Sequence, residues 1–127
     1  MLFRSMDLVK EYLASEGYRY DIDSDGDLHF KIEGVNLYCT NNGNDEQFFR
    51  IIMPGIYEVE NNREKVLEAC NKISRDYKVL KAFLVEDRLW LTVEMFMDST
   101  PEVGDFIQRI FSILINGRKD IAKEILG

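Results

Sequence analysis

Residues 78–97 read Lys-Val-Leu-Lys-Ala-Phe-Leu-Val, then Glu86-Asp87, then Arg-Leu-Trp-Leu-Thr-Val-Glu-Met-Phe-Met. Two β-rich runs that meet at two polar residues define a hairpin. With Glu86 and Asp87 as the turn, Leu84 stands opposite Leu89 and Phe83 opposite Trp90. Side chains alternate along each strand, so the register sorts the hairpin into two faces. Leu80, Ala82, Leu84, Leu89, Leu91, Val93, Met95 and Met97 form one, apolar throughout and suited to packing under helices. Val79, Lys81, Phe83, Val85, Arg88, Trp90, Thr92, Glu94 and Phe96 form the other, where charges mix with large aromatics and Phe83–Trp90 is a cross-strand pair. A sheet covered by helices on one side needs one apolar face only. The second face therefore calls for a partner, for another segment of the same chain, or for shielding by the stems of Lys81 and Arg88. Phe83, Val85, Arg88, Trp90 and Phe96 are accordingly the candidate protein-binding residues.

The rest of the chain supplies those helices and more strands. Ser5 can cap a first helix with Asp7 in its first turn, and Leu8, Val9, Tyr12 and Leu13 share one stripe. Gly17 stops it, which predicts a helix over about residues 6–16. Tyr18 to Asp23 reads as a strand and Asp25-Gly26 as a tight turn. Leu28, Phe30 and Ile32 alternate with polar residues, but after Gly34 the apolar set becomes Val35, Leu37 and Cys39. A bulge or sharp bend at Gly34 would return these side chains to one face and curve the sheet. Asn41 to Asn44 is the next turn, and Phe48 to Ile56 the next strand, ended near Pro54-Gly55.

Asn61 or Asn62 opens a second helix, Asn61 with Glu64 having capping-box spacing. Its stripe is Val66, Cys70, Ile73 and Tyr77. Beyond the hairpin, Ser99 and Glu102 repeat that spacing around Pro101. Val103, Phe106, Ile107, Ile110, Phe111 and Leu114 give a third helix a wide apolar face. Asn116-Gly117 breaks or caps it, and Ile121, Ile125 and Leu126 add one short helical turn. The order is helix, three strands, helix, two strands, helix. Short turns between strand runs imply an α+β fold, a curved antiparallel sheet with helices on one face.

A chain of 127 residues has the size of one domain, residues 1–127. At 46% hydrophobic and 31% charged residues it is a folding composition, not a disordered one. The net charge of -7, with no basic run, argues against nucleic acid and against anionic membranes. It fits solubility or a cationic protein partner. Residues 1–8 lack the apolar core of a signal peptide, and the run from Phe106 to Ile115 is interrupted and short of a membrane span. The two cysteines, Cys39 and Cys70, sit on apolar stripes, which predicts buried free thiols and a reducing, cytoplasmic setting. With a single histidine, His29, they fall short of a zinc site.

Asp21, Asp23, Asp25 and Gly26 have the spacing of the first ligands and the turn glycine of a calcium-binding EF loop. Position twelve, which needs a bidentate Glu, is Ile32, and the segment downstream alternates like a strand. An acidic hairpin turn is the expected role, with Asp21, Asp23 and Asp25 the one weak cation candidate. Glu94, on the outer face of a strand, is expected to be solvated or paired across the strands with Lys81. There is no Gly-x-Ser-x-Gly elbow, phosphate loop or His-Glu-x-x-His, so neither catalytic residues nor a cofactor are expected.

Three segments resemble the YbjN-type family, bacterial proteins labelled sensory transduction regulators. They are Val9-Lys-Glu-Tyr-Leu-Ala-Ser-Glu-Gly17-Tyr18, then Glu68-Ala-Cys-Asn71-Lys-Ile-Ser74 with the hairpin after it, and the closing apolar helix. The family's second helix commonly carries Asn-x-x-Asn; here Asn71 holds the first position and Ser74 the second. The resemblance implies the fold of type III secretion chaperones, often dimeric, in which small acidic cytoplasmic proteins bind segments of other proteins. The expected function is a non-enzymatic protein-binding module, a homodimeric chaperone-like adaptor or regulator of bacterial signalling or stress. The alternative is a small-molecule or cation sensor using the concave sheet or the Asp21–Asp25 loop.

Overall fold

The chain folds in the computed structural model, which describes residues 5–41, 43, 48–96 and 103–127, into three helices and six strands. In chain order they are α1 (Ser5–Ser15), β1 (Tyr20–Ile22), β2 (Leu28–Ile32), β3 (Val35–Cys39), β4 (Phe48–Glu58), α2 (Arg63–Asp76), β5 (Leu80–Val85), β6 (Arg88–Phe96) and α3 (Val103–Leu126). The strands make one open sheet in the order β1-β2-β3-β4-β6-β5, each neighbouring pair antiparallel. The layer arrangement is the expected one, with one strand more than the sequence suggested.

The extra strand comes from the parity change at Gly34. It marks a two-residue hairpin turn and not a bulge or bend: Ile32 pairs with Val35 across Glu33 and Gly34, at φ 50° and 78°. Both turn residues lie in the left-handed region, which glycine occupies without steric penalty. Opposed residues in a hairpin share a face, so Phe30 and Leu37, and Leu28 and Cys39, point the same way.

Local chemistry sets the other boundaries. α1 ends in a Schellman pair, Tyr18 N–H to Leu13 C=O at 2.9 Å and Gly17 N–H to Ala14 C=O at 3.2 Å. β4 does not end at Pro54-Gly55; it runs on to Glu58, and its register against β6 shifts between Met53 and Tyr57. Pro54, which has no N–H, falls within that irregularity. The capping box of Asn61 and Glu64 does not form. Asn61 has φ 62°, and Asn62 is the N-cap without a side-chain cap bond. The Asn62 amide instead accepts from Glu60 N–H at 3.0 Å and donates to the Tyr57 hydroxyl at 2.7 Å. The Ser5 side chain, Asn42, Asn44, Met97 and the Ser99–Pro101–Glu102 cap lie outside the described residues.

Gly117 neither breaks nor caps α3, a single helix of 24 residues. The glycine is needed for close approach: a Cβ there would lie 2.6 Å from Leu80 Cδ2 and 3.8 Å from Leu91 Cδ1. α3 thereby rests directly on β5 and β6. The core follows from this contact. Leu28, Phe30, Leu37, Phe49, Ile51, Met53, Leu89, Leu91 and Val93 of the sheet join Leu13, Val66, Ile107, Leu114 and Ile121 of the helices in one continuous buried cluster. Phe111 packs against Tyr12 and Phe30 at 5.7 and 5.3 Å between ring centroids, and Phe106 against Phe49 at 5.6 Å. Each such buried side chain contributes about 1.5–3 kcal/mol of transfer free energy.

Candidate functional site

The face of the sheet turned away from that core is built by β1–β6 together. Antiparallel pairing places Phe48 opposite Phe96, Arg50 opposite Glu94, Ile52 opposite Thr92, Thr92 opposite Lys81, and Trp90 opposite Phe83. None of the apolar members of this set belongs to the core cluster that joins the other face to the three helices. Among the described residues, no helix packs on it.

Aromatics flank a polar centre here. Phe83 and Trp90 have ring centroids 6.3 Å apart, and Phe48 and Phe96 meet edge-on at 5.8 Å. Between them Glu94 Oε2 accepts from Lys81 Nζ at 3.0 Å and from the Thr92 hydroxyl at 2.9 Å. The diagonal Lys81–Glu94 pair is the one the register requires. Burial pushes the Glu94 carboxyl up, but the hydrogen bonds from Lys81 and Thr92 and the charges of Lys81 and Arg50 leave it below its ordinary value. It stays ionised at neutral pH and is not a proton donor. Thr92 is 0% exposed and Ile52 8% on a face without helices, because their long neighbours shield them.

The five candidate residues all lie in this hairpin, but they differ in access. Phe96 is 75% and Val85 41% exposed, and Arg88 is exposed, whereas Phe83 and Trp90 are half-buried. Arg88 reaches back over the β4 irregularity: a Cβ at Gly55 would lie 3.4 Å from Arg88 Nη1. Val79 leaves the face, since it precedes β5 and has φ 57°. The turn is anchored by Arg63, whose Nη1 donates to Glu86 C=O at 3.2 Å and to Asp87 Oδ1 at 2.9 Å. The surface also includes Phe48, Arg50 and Ile52, which the hairpin alone could not reveal. Their alternation with Phe49, Ile51 and Met53 is legible in β4, but their place beside Trp90 and Phe96 depends on β4 pairing with β6.

The acidic loop is arranged differently from an EF loop. Asp23 Oδ1 accepts from the backbone N–H of Asp25 at 2.9 Å and of Asp27 at 3.0 Å. Asp21 turns away, and its Oδ1 lies 2.9 Å from His29 Nδ1. The carboxylates brought together, within 4.8 Å, are those of Asp23, Asp25 and Asp27. Asp27 Oδ1 also accepts from Asn41 N–H at 2.7 Å. These bonds hold the turn in shape. Both thiols are free and buried; burial pushes Cys39 up to about 12 and Cys70 up to about 11. Neither is a thiolate at neutral pH. No helix among the described residues is long and apolar enough to cross a membrane.

An open antiparallel sheet with helices on one side is the fold of the type III secretion chaperone class. The Yersinia pestis type III secretion chaperone SycH, solved in complex with a stable fragment of YscM2, superposes with a TM-score of 0.61 at 15% identity, covering 92% of this chain and 98% of SycH. The chain belongs to the YbjN family, described as "Putative bacterial sensory transduction regulator", whose pattern matches residues 5–113. YbjN of E. coli superposes with a TM-score of 0.57 at 14% identity, over 94% of this chain and 87% of that one. An uncharacterized protein of Methanothermobacter thermautotrophicus gives 0.67 at 15% identity, with 96% of each chain covered. Compared with curated protein sequences, the chain has no significant match.

Proposed function

We propose that this protein is a non-enzymatic binding module, a chaperone-like adaptor or regulator of bacterial signalling or stress. Its helix-free sheet face receives another protein segment or a second copy of the chain in the cytoplasm. The observation that carries the reading is the surface itself. Two aromatic pairs, Phe83–Trp90 and Phe48–Phe96, flank an ion pair on a face that the three helices leave uncovered. Aromatics and Arg are the residues that dominate binding energy at interfaces, and here Phe83, Val85, Arg88, Trp90 and Phe96 lie on one hairpin. The family's description as a regulator, and a fold neighbour solved with a protein fragment, support the same reading. Both thiols are held protonated by burial and offer no thiolate nucleophile at neutral pH.

The test is the double substitution Phe83→Ser with Trp90→Ser. Self-association by sedimentation and affinity capture from the native host should both fall, while the far-ultraviolet dichroism and cooperative melting are retained. A variant that unfolds would mean that these rings are core. Unchanged association in a folded variant would remove the surface from the reading.

A further inference from the structure

A second concavity lies on the opposite side of the sheet, between the C-terminal half of α3 and the ends of β4 and β6. Its volume is about 490 Å³; its accessible apolar walls are Ile56, Ala122 and Leu126 over the buried Leu89 and Ile121, and Arg118 and Lys123 border it. That volume falls in the range of small-molecule sites, which are mostly apolar with a few placed polar groups.

The charges around it are sorted. The chain carries a net charge of -7, yet every charged side chain of this stretch of α3 that lines the cavity is a cation. The carboxylates of the same turns are engaged on the other flank. Asp120 accepts from the Tyr77 hydroxyl, and Glu124 pairs with Lys72 Nζ at 2.6 Å. Among the described residues no carboxylate forms an ion pair with Arg118 or Lys123. The negative end of the helix dipole favours cations in the last turn. It does not explain why cations face the cavity while carboxylates face α2. Lys119 stands between this cavity and a polar one that includes Glu16 and Glu33, so the charge specific to the apolar cavity is that of Arg118 and Lys123.

We propose that this cavity binds a small amphipathic anion, an aliphatic carboxylate. Its hydrocarbon chain lies along Ile56, Ala122 and Leu126, above the buried Leu89, Ile121 and Ile125, and its head group meets Arg118 and Lys123. The Arg guanidinium suits bidentate pairing with a carboxylate, and the Lys ammonium adds a second charge-assisted bond. The site is independent of the aromatic face, and the two fail separately.

The experiment is methyl-detected NMR of the isoleucine-labelled full chain titrated with decanoate, and in parallel with the neutral decanol. Saturable shifts confined to the methyls of Ile56, Ile121 and Ile125 are expected, with decanol at least about tenfold weaker. The R118Q/K123Q double variant should weaken decanoate about tenfold and leave decanol unchanged. Equal affinity for the two ligands would reduce the site to an apolar cleft and overturn the proposal. So would the absence of saturation, shifts located elsewhere, or saturation by an acidic peptide with no response to decanoate.

Discussion

His29 shows how one side chain acquires a defined chemistry from register alone. Pairing of β2 with β1 and β3 sets Asp21 and Tyr38 opposite it. Its Nδ1 lies 2.9 Å from Asp21 Oδ1, its Nε2 lies 2.8 Å from Asn36 Oδ1, and its ring rests 4.8 Å from that of Tyr38. Two oxygen acceptors on the two ring nitrogens are satisfied together only by the imidazolium. The hydrogen bond to Asn36 raises the His29 pKa most, partial burial opposes it, and the bond and charge of Asp21 add to the rise. A folded value above the unfolded one, about 6.5, makes the contribution to stability fully present below that pH. It is lost as pH rises through the folded pKa. A proton-detected titration of the single histidine should therefore give a midpoint above about 6.5, and Asp21→Asn should move it down. A wild-type midpoint at or below the unfolded value would show that the two acceptors do not hold the proton. None of this was legible in the sequence, where Asp21 belonged to an acidic turn and was at most a weak cation candidate. The Asp-x-Asp-x-Asp spacing shows which residues are near in sequence, while the strand pairing decides which one meets the histidine.

At the scale of elements, hydrophobic periodicity located every helix and read β2 and β3 as one bent strand, and two of the errors fell where glycine had more than one use. Gly34 was expected to bulge a strand and instead turns it, because parity change is common to both geometries. Gly117 was expected to end a helix, yet α3 passes through it. Its purpose is contact with Leu80, which no local pattern encodes. Ser74 shows the converse, a residue whose role appears only in the fold. Where the family commonly has Asn, its hydroxyl accepts from Ala82 N–H at 2.9 Å and lies 3.4 Å from Ala82 C=O. A single hydroxyl with donor and acceptor capacity thus engages both backbone groups of one residue on the edge strand β5, tying it to α2. Gly117→Ala separates helix propensity from packing. Propensity alone would stabilise the helix by about 1 kcal/mol. The methyl would enter a closed contact with a side chain only 3% exposed, and overpacking of this kind costs about 1–3 kcal/mol. Net destabilisation is expected in urea unfolding, relieved when Leu80→Val is introduced beside it. A stabilised single variant, or no coupling in the double variant, would contradict the close approach.

At the scale of the molecule, the sheet divides the chain into two regimes of apolar surface. On one side aliphatic and aromatic residues of five strands, β2 to β6, and three helices form a continuous cluster, and strand alternation with helix stripes was enough to assign nearly all of it. On the other side the half-buried Phe83, Trp90 and Phe48 and the exposed Phe96 pack in pairs around Lys81 and Glu94. The hairpin half of that face was legible, since the Glu86-Asp87 turn fixed its register. The β4 half was not, because long-range pairing between β4 and β6 is set by the crossover through α2 and β5. If the two regimes are distinct, stability should depend on them unequally. Leu91→Ala removes a side chain that is 0% exposed and sits between β6 and α3, so a loss of about 2–5 kcal/mol is expected from transfer and cavity together. Phe83→Ser with Trp90→Ser removes an aromatic pair worth about 0.5–1.5 kcal/mol and some strand propensity. Its cost should stay near about 1–2 kcal/mol, with an unchanged denaturant slope. Urea unfolding of the two variants side by side measures the difference. A double variant as unstable as Leu91→Ala would place Phe83 and Trp90 in the core of the fold, and the candidate residues left for a partner would shrink to Val85, Arg88 and Phe96 beside the β4 residues Phe48 and Arg50.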